Sequence, residues 1–246
     1  MPRLLMILSV TVSLIGCDRR GAPPSKPNLS AHEWFARGNK LRDGQKEEAV
    51  KAFTEAIRLD PNMDSAYFNR GLTYAELDRH AEAVADRDLL IQHKSPLGKK
   101  LQGLFAGVAL ANVSMGSHAA DSGDLEGALK KYEAALIYNP TMADAHVGRG
   151  AVYLGQKKVH DAVREFDQAL ELDPKSSKAY HNRGQANLVR LDFKSALADF
   201  TKAIELRPDE ASSFHERAKA YDGLGDKAKA QKDREHASRL TEKKSK

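Results

Sequence analysis

From Lys178 to Val189, and again from Lys194 to Leu206, small and apolar residues recur every three to four positions among polar ones, with Leu191-Asp192 between the two runs. That period predicts two short antiparallel helices joined by a tight turn. Gly184 and Ala203 leave room for the backbones to approach, and Tyr180 and Phe200 fill the space beside them. Pro208 ends the second helix, because proline lacks the donor a helix interior needs and disfavours helix at the residue before it. One such pair cannot bury its own apolar face; stacking successive pairs does so.

The same pattern runs along most of the chain. Trp34, Gly38, Leu41, Ala49, Phe53, Ala56 and Pro61 form a first copy, with a shortened turn at Asp43-Gly44. It opens on Ser30 with Glu33 three residues on, the arrangement of a capping box. Tyr67, Gly71, Tyr74 and Ala83 begin a second copy, which then departs: Arg87 stands where Phe200 stands in the fifth, and Leu90 where Ala203 does. Its second helix is therefore expected to pack atypically. A third copy has Gly116, Ala119, Ala128, Tyr132, Ala135 and Pro140, with Asn112 replacing the aromatic; a fourth has His146, Gly150, Tyr153, Ala162, Phe166, Ala169 and Pro174. The fifth is the stretch described first. The sixth keeps Phe214, Tyr221, Ala230 and Ala237 but has Ala218 for the glycine and Arg234 for the second aromatic, and its polar second helix suits a terminal cap.

An aromatic, then Gly, Tyr, Ala, Phe and Pro over about 34 residues is the signature of the tetratricopeptide repeat (TPR), and the chain resembles that family closely. The resemblance implies an all-α fold, an α-solenoid of about six TPR helix-turn-helix units in a right-handed superhelix with a concave inner face. The units fall at about 31–63, 64–97, 109–142, 143–176, 177–210 and 211–240, within a solenoid over 30–242 followed by a basic tail at 243–246.

One interval breaks the period. Prolines 61, 96, 140, 174 and 208 are separated by 35, 44, 34 and 34 residues, so about ten extra residues lie between the second and third copies, near 98–108. Gly103 and Gly107 there have the small-xxx-small spacing of associating membrane helices. The uncharged run from Leu101 to Ser117 is nonetheless thin in large apolar residues, and Lys99, Lys100 and His118 flank it. It reads as a long first helix of the third repeat, partly buried against its neighbours.

A second regularity is a ladder of Arg70, Arg149, Arg183 and Arg217, each followed sixteen residues later by an acid: Asp86, Glu165, Asp199 and Asp233. The third repeat lacks both members, carrying Met115 and Lys131. Joint loss predicts ion pairs that tie helix to helix; an anion-binding arginine row is the alternative.

By resemblance to the family, the groove is lined by first-helix residues that face away from the stacked core. These include Phe35 and Asn39 in the first repeat, Phe68 and Leu72 in the second, Leu110, Val113 and Ser117 in the third, and Val147, Ala151 and Leu154 in the fourth. Lys178, His181 and Gln185 continue it in the fifth repeat, and His215 and Lys219 in the sixth. Val113, Val147 and Leu154 are equally suited to internal packing. The lysine, asparagine and arginine clamp with which some family members hold acidic chaperone tails is not matched. The corresponding places are Phe35, Asn39, Asn69, Leu110 and Ser114, or Val147, Ala151, Asn182, Ser212 and Glu216, and the cations are missing.

The first segment, MPRLLMILSVTVSLIGC, places one Arg before an apolar run from Leu4 to Gly16 that is short for a bilayer span and suits a signal-peptide core. It ends in Leu14-Ile15-Gly16-Cys17, which resembles the lipobox of bacterial lipoproteins, and the resemblance implies cleavage before Cys17 and lipid attachment to it. The expectation is thus a signal peptide at 1–17, then a disordered tether at 18–29, where three prolines and a glycine interrupt any apolar period. Cys17 is the only cysteine, so a disulfide within the chain is impossible.

With 246 residues, 41% hydrophobic and 30% charged, and a mean hydropathy of −0.56, the chain can bury a sizeable core and does not read as a polytopic membrane protein. Its net charge of +5 is concentrated near the C-terminus. No nucleophile elbow, phosphate-binding glycine loop, HExxH or CxxC occurs. His181 and His215 hold equivalent places but have no obvious further ligands. The expected protein is a non-catalytic, membrane-anchored TPR scaffold of the bacterial cell envelope. Its concave groove is expected to take a protein or peptide partner, with no metal, cofactor, nucleic acid or small-molecule substrate. The alternative is a structural assembly subunit of an envelope complex of secretion or pilus type.

Overall fold

A computed structural model describes residues 29–244, and the expected signal segment, Cys17 and all but the last residue of the expected tether lie outside them. Among the described residues there are twelve α-helices and no strand. They pair in chain order as α1 (Ala31–Leu41) with α2 (Lys46–Leu59), α3 (Asp64–Glu76) with α4 (His80–Gln92), and α5 (Pro96–Asp121) with α6 (Leu125–Tyr138). The series continues with α7 (Ala143–Gly155) and α8 (Val159–Leu172), α9 (Ser177–Val189) and α10 (Phe193–Leu206), and α11 (Ala211–Gly223) and α12 (Lys227–Lys244). The last helix runs into the segment read as a basic tail.

Local chemistry sets the ends. At the start of α1 the Ser30 hydroxyl accepts from the Glu33 amide at 3.3 Å, and the Glu33 carboxylate accepts from the Ser30 amide at 2.8 Å. The capping box predicted from those two residues is therefore present. Prolines 140, 174 and 208 each follow the residue that caps α6, α8 and α10.

Packing within a repeat centres on the first-helix glycine. A Cβ on Gly38, Gly116, Gly150 or Gly184 would come within 2.5, 2.9, 2.6 or 2.8 Å of the ring of Phe53, Tyr132, Phe166 or Phe200 respectively. Each ring lies on the second helix of the same repeat, and each is at most 3% exposed. Only glycine lets the helices close that far. The glycines thus fix the interhelical distance and the rings fill the core.

The second repeat lacks such a ring, and the irregular interval explains why it still packs. Helix α5 is continuous over 26 residues, about 39 Å at the helical rise. Its first turns reach back over α3 and α4, where Leu101 and Phe105 are fully buried. Leu101 lies 3.1 Å from the position a Gly71 Cβ would take. Gly98 is pressed against α4 so tightly that a Cβ there would meet the Ile91 amide nitrogen at 2.8 Å. Phe105 stacks obliquely on Tyr138, with ring centroids 4.8 Å apart. Among the described residues, no helix is long and apolar enough to cross a membrane.

Candidate protein-binding groove

The first helices α3, α5, α7, α9 and α11 touch one another in succession, whereas among the second helices only α4 and α6 make comparable contact. In a curved stack the inner row is the closer-spaced one, so the first helices line the inner side. Four columns of residues along them were candidates for the groove; in the fourth, Leu154 is half-buried against the core, and the other three run from His32, Phe35 and Asn39.

The middle column belongs mainly to the packing between repeats. Val147 is 7% exposed and packs with Ala169, Leu170 and Ala179, so the expectation that it lines the groove is corrected. Phe35 is half-buried with its ring 5.9 Å from that of Phe53, and Phe68 is half-buried beneath the Lys100 ammonium, 5.4 Å from its ring centre. His181 places Nδ1 2.9 Å from the Ser213 hydroxyl on α11 and stands edge-on to Phe200 at 5.6 Å. Burial lowers its pKa below the ordinary histidine value. His215 is the same position in the sixth repeat and is exposed. It lines an open cavity of about 680 Å³ with Ser212, Arg234, Ser238 and Thr241. The two histidines therefore sit in different environments, and no metal-holding group of three His, Cys, Asp or Glu forms among the described residues.

The outer two columns stay open. His32, Ser65, Leu110, Asp144, Lys178 and Ser212 are all exposed, Leu110 by 64%. In the other column Asn39, Ser117, Ala151 and Lys219 are exposed, while Leu72 and Gln185 are half-buried. Asn39 accepts from the Asn69 amide at 2.7 Å, and Lys219 pairs with Glu216 at 2.7 Å. Gly103 and Gly107 have nothing within 4 Å of a Cβ position, so they form an open surface and not a helix-packing seam. Periodicity gives a face and not what lies opposite it, so groove lining and internal packing were both open at Val147, and packing holds.

The arginine ladder is structural. Arg70 holds Asp86 through Nε and Nη2 at 2.9 and 2.7 Å, and Arg217 holds Asp233 at 2.7 and 2.8 Å. Arg183 donates to Asp199 at 2.7 Å, which also accepts from Asn187 at 3.0 Å; Arg149 donates to Glu165 at 2.8 Å. Burial pushes the Glu165 carboxyl up, but hydrogen bonds from His146 and Arg149 outweigh it and hold its pKa low. Asp86 is raised by burial, which there outweighs Arg70. A second arm was missed in the sequence: Arg70, Arg183 and Arg217 also donate through Nη1 to Thr54, Asp167 and Thr201, sixteen residues earlier, at 3.1, 2.6 and 3.4 Å. The same spacing read backwards along the chain would have found it. With both arms used, these guanidiniums are committed within the fold.

Family models described as "Tetratricopeptide repeat" match residues 113–177 and 152–211, and one described as "TPR repeat" matches 38–78. The chain belongs to the tetratricopeptide repeat family. Among solved structures, the TPR chain is similar to the APC/C hetero-tetramer Cut9-Hcn1, with a TM-score of 0.53 at 17% identity over 86% of this chain and 40% of that one. That likeness concerns the fold, an all-α helical repeat. MamA matches with a TM-score of 0.46 at 18% identity, covering 85% of this chain and 96% of its own. The first TPR of Spaghetti (RPAP3) bound to HSP90 peptide SRMEEVD gives 0.47 at 23% identity, over 49% of this chain and 95% of that one. The TPR architecture makes the chain a protein–protein interaction scaffold.

Proposed function

We propose that this TPR chain is a non-catalytic scaffold of the bacterial cell envelope, held to a membrane by lipid on Cys17, that binds a protein segment along its inner face. The observation that carries the binding part is the open column in which the equivalent position of every repeat from His32 to Ser212 remains exposed. Groove modules bind extended or helical segments through such exposed apolar and polar side chains. The Leu14-Ile15-Gly16-Cys17 sequence after an apolar run supports the anchor. Several acyl chains hold a protein to a bilayer where one alone is marginal.

The test compares the wild type with a Leu110→Asp, Lys178→Glu, Lys219→Glu variant in affinity capture from gently solubilised envelopes, helicity being checked by circular dichroism. A discrete partner held by the wild type and lost by an equally helical variant is the expected result. Identical partners for both would remove the groove from the proposal. Labelled fatty acid should be incorporated into the wild type and not into Cys17→Ser, and no incorporation into the wild type would remove the lipid anchor.

A further inference from the structure

In the turn between the two helices of a repeat, one residue takes the left-handed backbone conformation: Asp78, Gly123, Lys157, Leu191 and Gly225, with φ of +56°, +85°, +62°, +59° and +82°. Glycine adopts this conformation freely and short polar residues tolerate it, whereas a leucine is crowded there by its own Cβ. Leu191 is also 70% exposed, so its side chain returns little to the fold for that strain. Val189, two residues away, is 61% exposed, and Leu224, in the next turn, is 42% exposed. The two turns adjoin, because a Cβ on Gly223 would collide with the ring of Phe193.

Cations surround these apolar tips. Lys157, Arg190 and Lys194 are exposed, and none is in an ion pair among the described residues. The acid between them, Asp192, caps α10, accepting from the Ser195 amide at 3.1 Å and its hydroxyl at 2.8 Å; those bonds keep it ionised, so it offsets one of the positive charges beside it. Arg190 lies between Val189 and Leu191 in the chain, Lys194 follows Leu191 by three residues, and Lys157 holds the left-handed position of the turn one repeat earlier. A protein hot spot packs into a desolvated pocket, whereas a bilayer interface asks only for apolar side chains at shallow depth and positive charge at the phosphates.

We propose that the turn rim of repeats four to six is a contact surface for an anionic lipid bilayer. Val189, Leu191 and Leu224 enter the boundary between headgroups and acyl chains, and Lys157, Arg190 and Lys194 meet the phosphates. The surface is separate from the inner groove and does not depend on Cys17. Where the lipid anchor also operates, the rim gives the solenoid a second point of attachment and so an orientation on the membrane.

Because Cys17 is the only cysteine, Cys17→Ser leaves a full-length chain in which Leu191→Cys carries one environment-sensitive fluorophore. Vesicles of phosphatidylcholine with phosphatidylglycerol should shift its emission to the blue, with the shift reversed by high salt. The same label at Lys175→Cys, in an exposed turn between repeats, should not respond. Replacing Lys157, Arg190 or Lys194 by Gln should weaken the partition about fivefold each, and Leu224→Ser on the labelled chain at least about tenfold. No shift at position 191, an equal shift at 175, or an equal response to phosphatidylcholine alone overturns the proposal. Because Cys17 is absent throughout, these outcomes are independent of lipidation.

Discussion

In repeats four and five the first-helix glycine lies under a phenylalanine of the same repeat, Gly150 under Phe166 and Gly184 under Phe200; in repeat two Gly71 lies against Leu101, which arrives from the next repeat. The regular repeats are self-plugging and the second is plugged by its neighbour. Arg87, which occupies the aromatic position there, is largely buried and reaches to α6, donating to the Tyr138 carbonyl at 3.1 Å. The second helices α4 and α6 are drawn together at this point, with His80 Nδ1 2.9 Å from the Tyr138 hydroxyl. Burial pushes that phenol up to about 12. The difference shows that the core demands filled volume beside the glycine and is indifferent to which segment supplies it. The inserted turns of α5 therefore serve the fold before any binding role.

The sharpest way to break this comparison is to empty both plugs. Phe200→Ala should cost about 3–5 kcal/mol and Leu101→Ala about 2–5 kcal/mol in denaturant unfolding. Hydrogen exchange should locate the loosening in repeats five and six for the first, and in repeats two and three for the second. A Leu101→Ala cost like that of a surface substitution would show that the α5 extension is not a plug. A smaller effect comes from the ladder. Asp199→Ala leaves Arg183, 26% exposed, without its main partner, and should cost about 1–3 kcal/mol, partly recovered when Arg183→Ala is added. Lys131→Asp, at the same place in the repeat that has no arginine, should stay within about 0.5 kcal/mol. The smallest effect has the opposite sign: Gly103→Ala and Gly107→Ala place a methyl in open space within a helix, and each should raise stability by about 0.5–1 kcal/mol. Destabilisation by either would mean that the small residues serve a packed contact.

Much of the fold was legible because a repeat states its rules several times. Gly184 with Phe200 and Arg183 with Asp199 each recur at fixed spacing, and the joint absence at Met115 and Lys131 marked the pair as a unit. The long first helix was legible from the interval between Pro96 and Pro140. What it packs against was not, because Leu101 answers a vacancy created by Arg87 in a different repeat, and periodicity carries no information about partners across repeats. The groove was half-legible for the same reason. Lys178 and Val147 both fall on outward-looking first-helix positions, yet one is exposed and the other is closed over by α8 and α9. His181 and His215 were equivalent in sequence and differ in what meets them: Ser213 on α11 meets the first, and the second lines an open cavity.

The two-armed arginines can also be regarded as the cross-braces of a truss. Arg70 braces α2 to α4, Arg183 braces α8 to α10, and Arg217 braces α10 to α12. Between α4 and α6 the brace is replaced by Arg87, His80 and Tyr138. The bay between α6 and α8 is built differently: Arg149 grips α8 alone, and its buried Nε finds no acceptor. A load applied to the ends of the solenoid is carried across four bays by struts from second helix to second helix, and across this one by way of α7, where His146 links Glu165 at 2.8 Å to the Pro140 carbonyl at 3.4 Å.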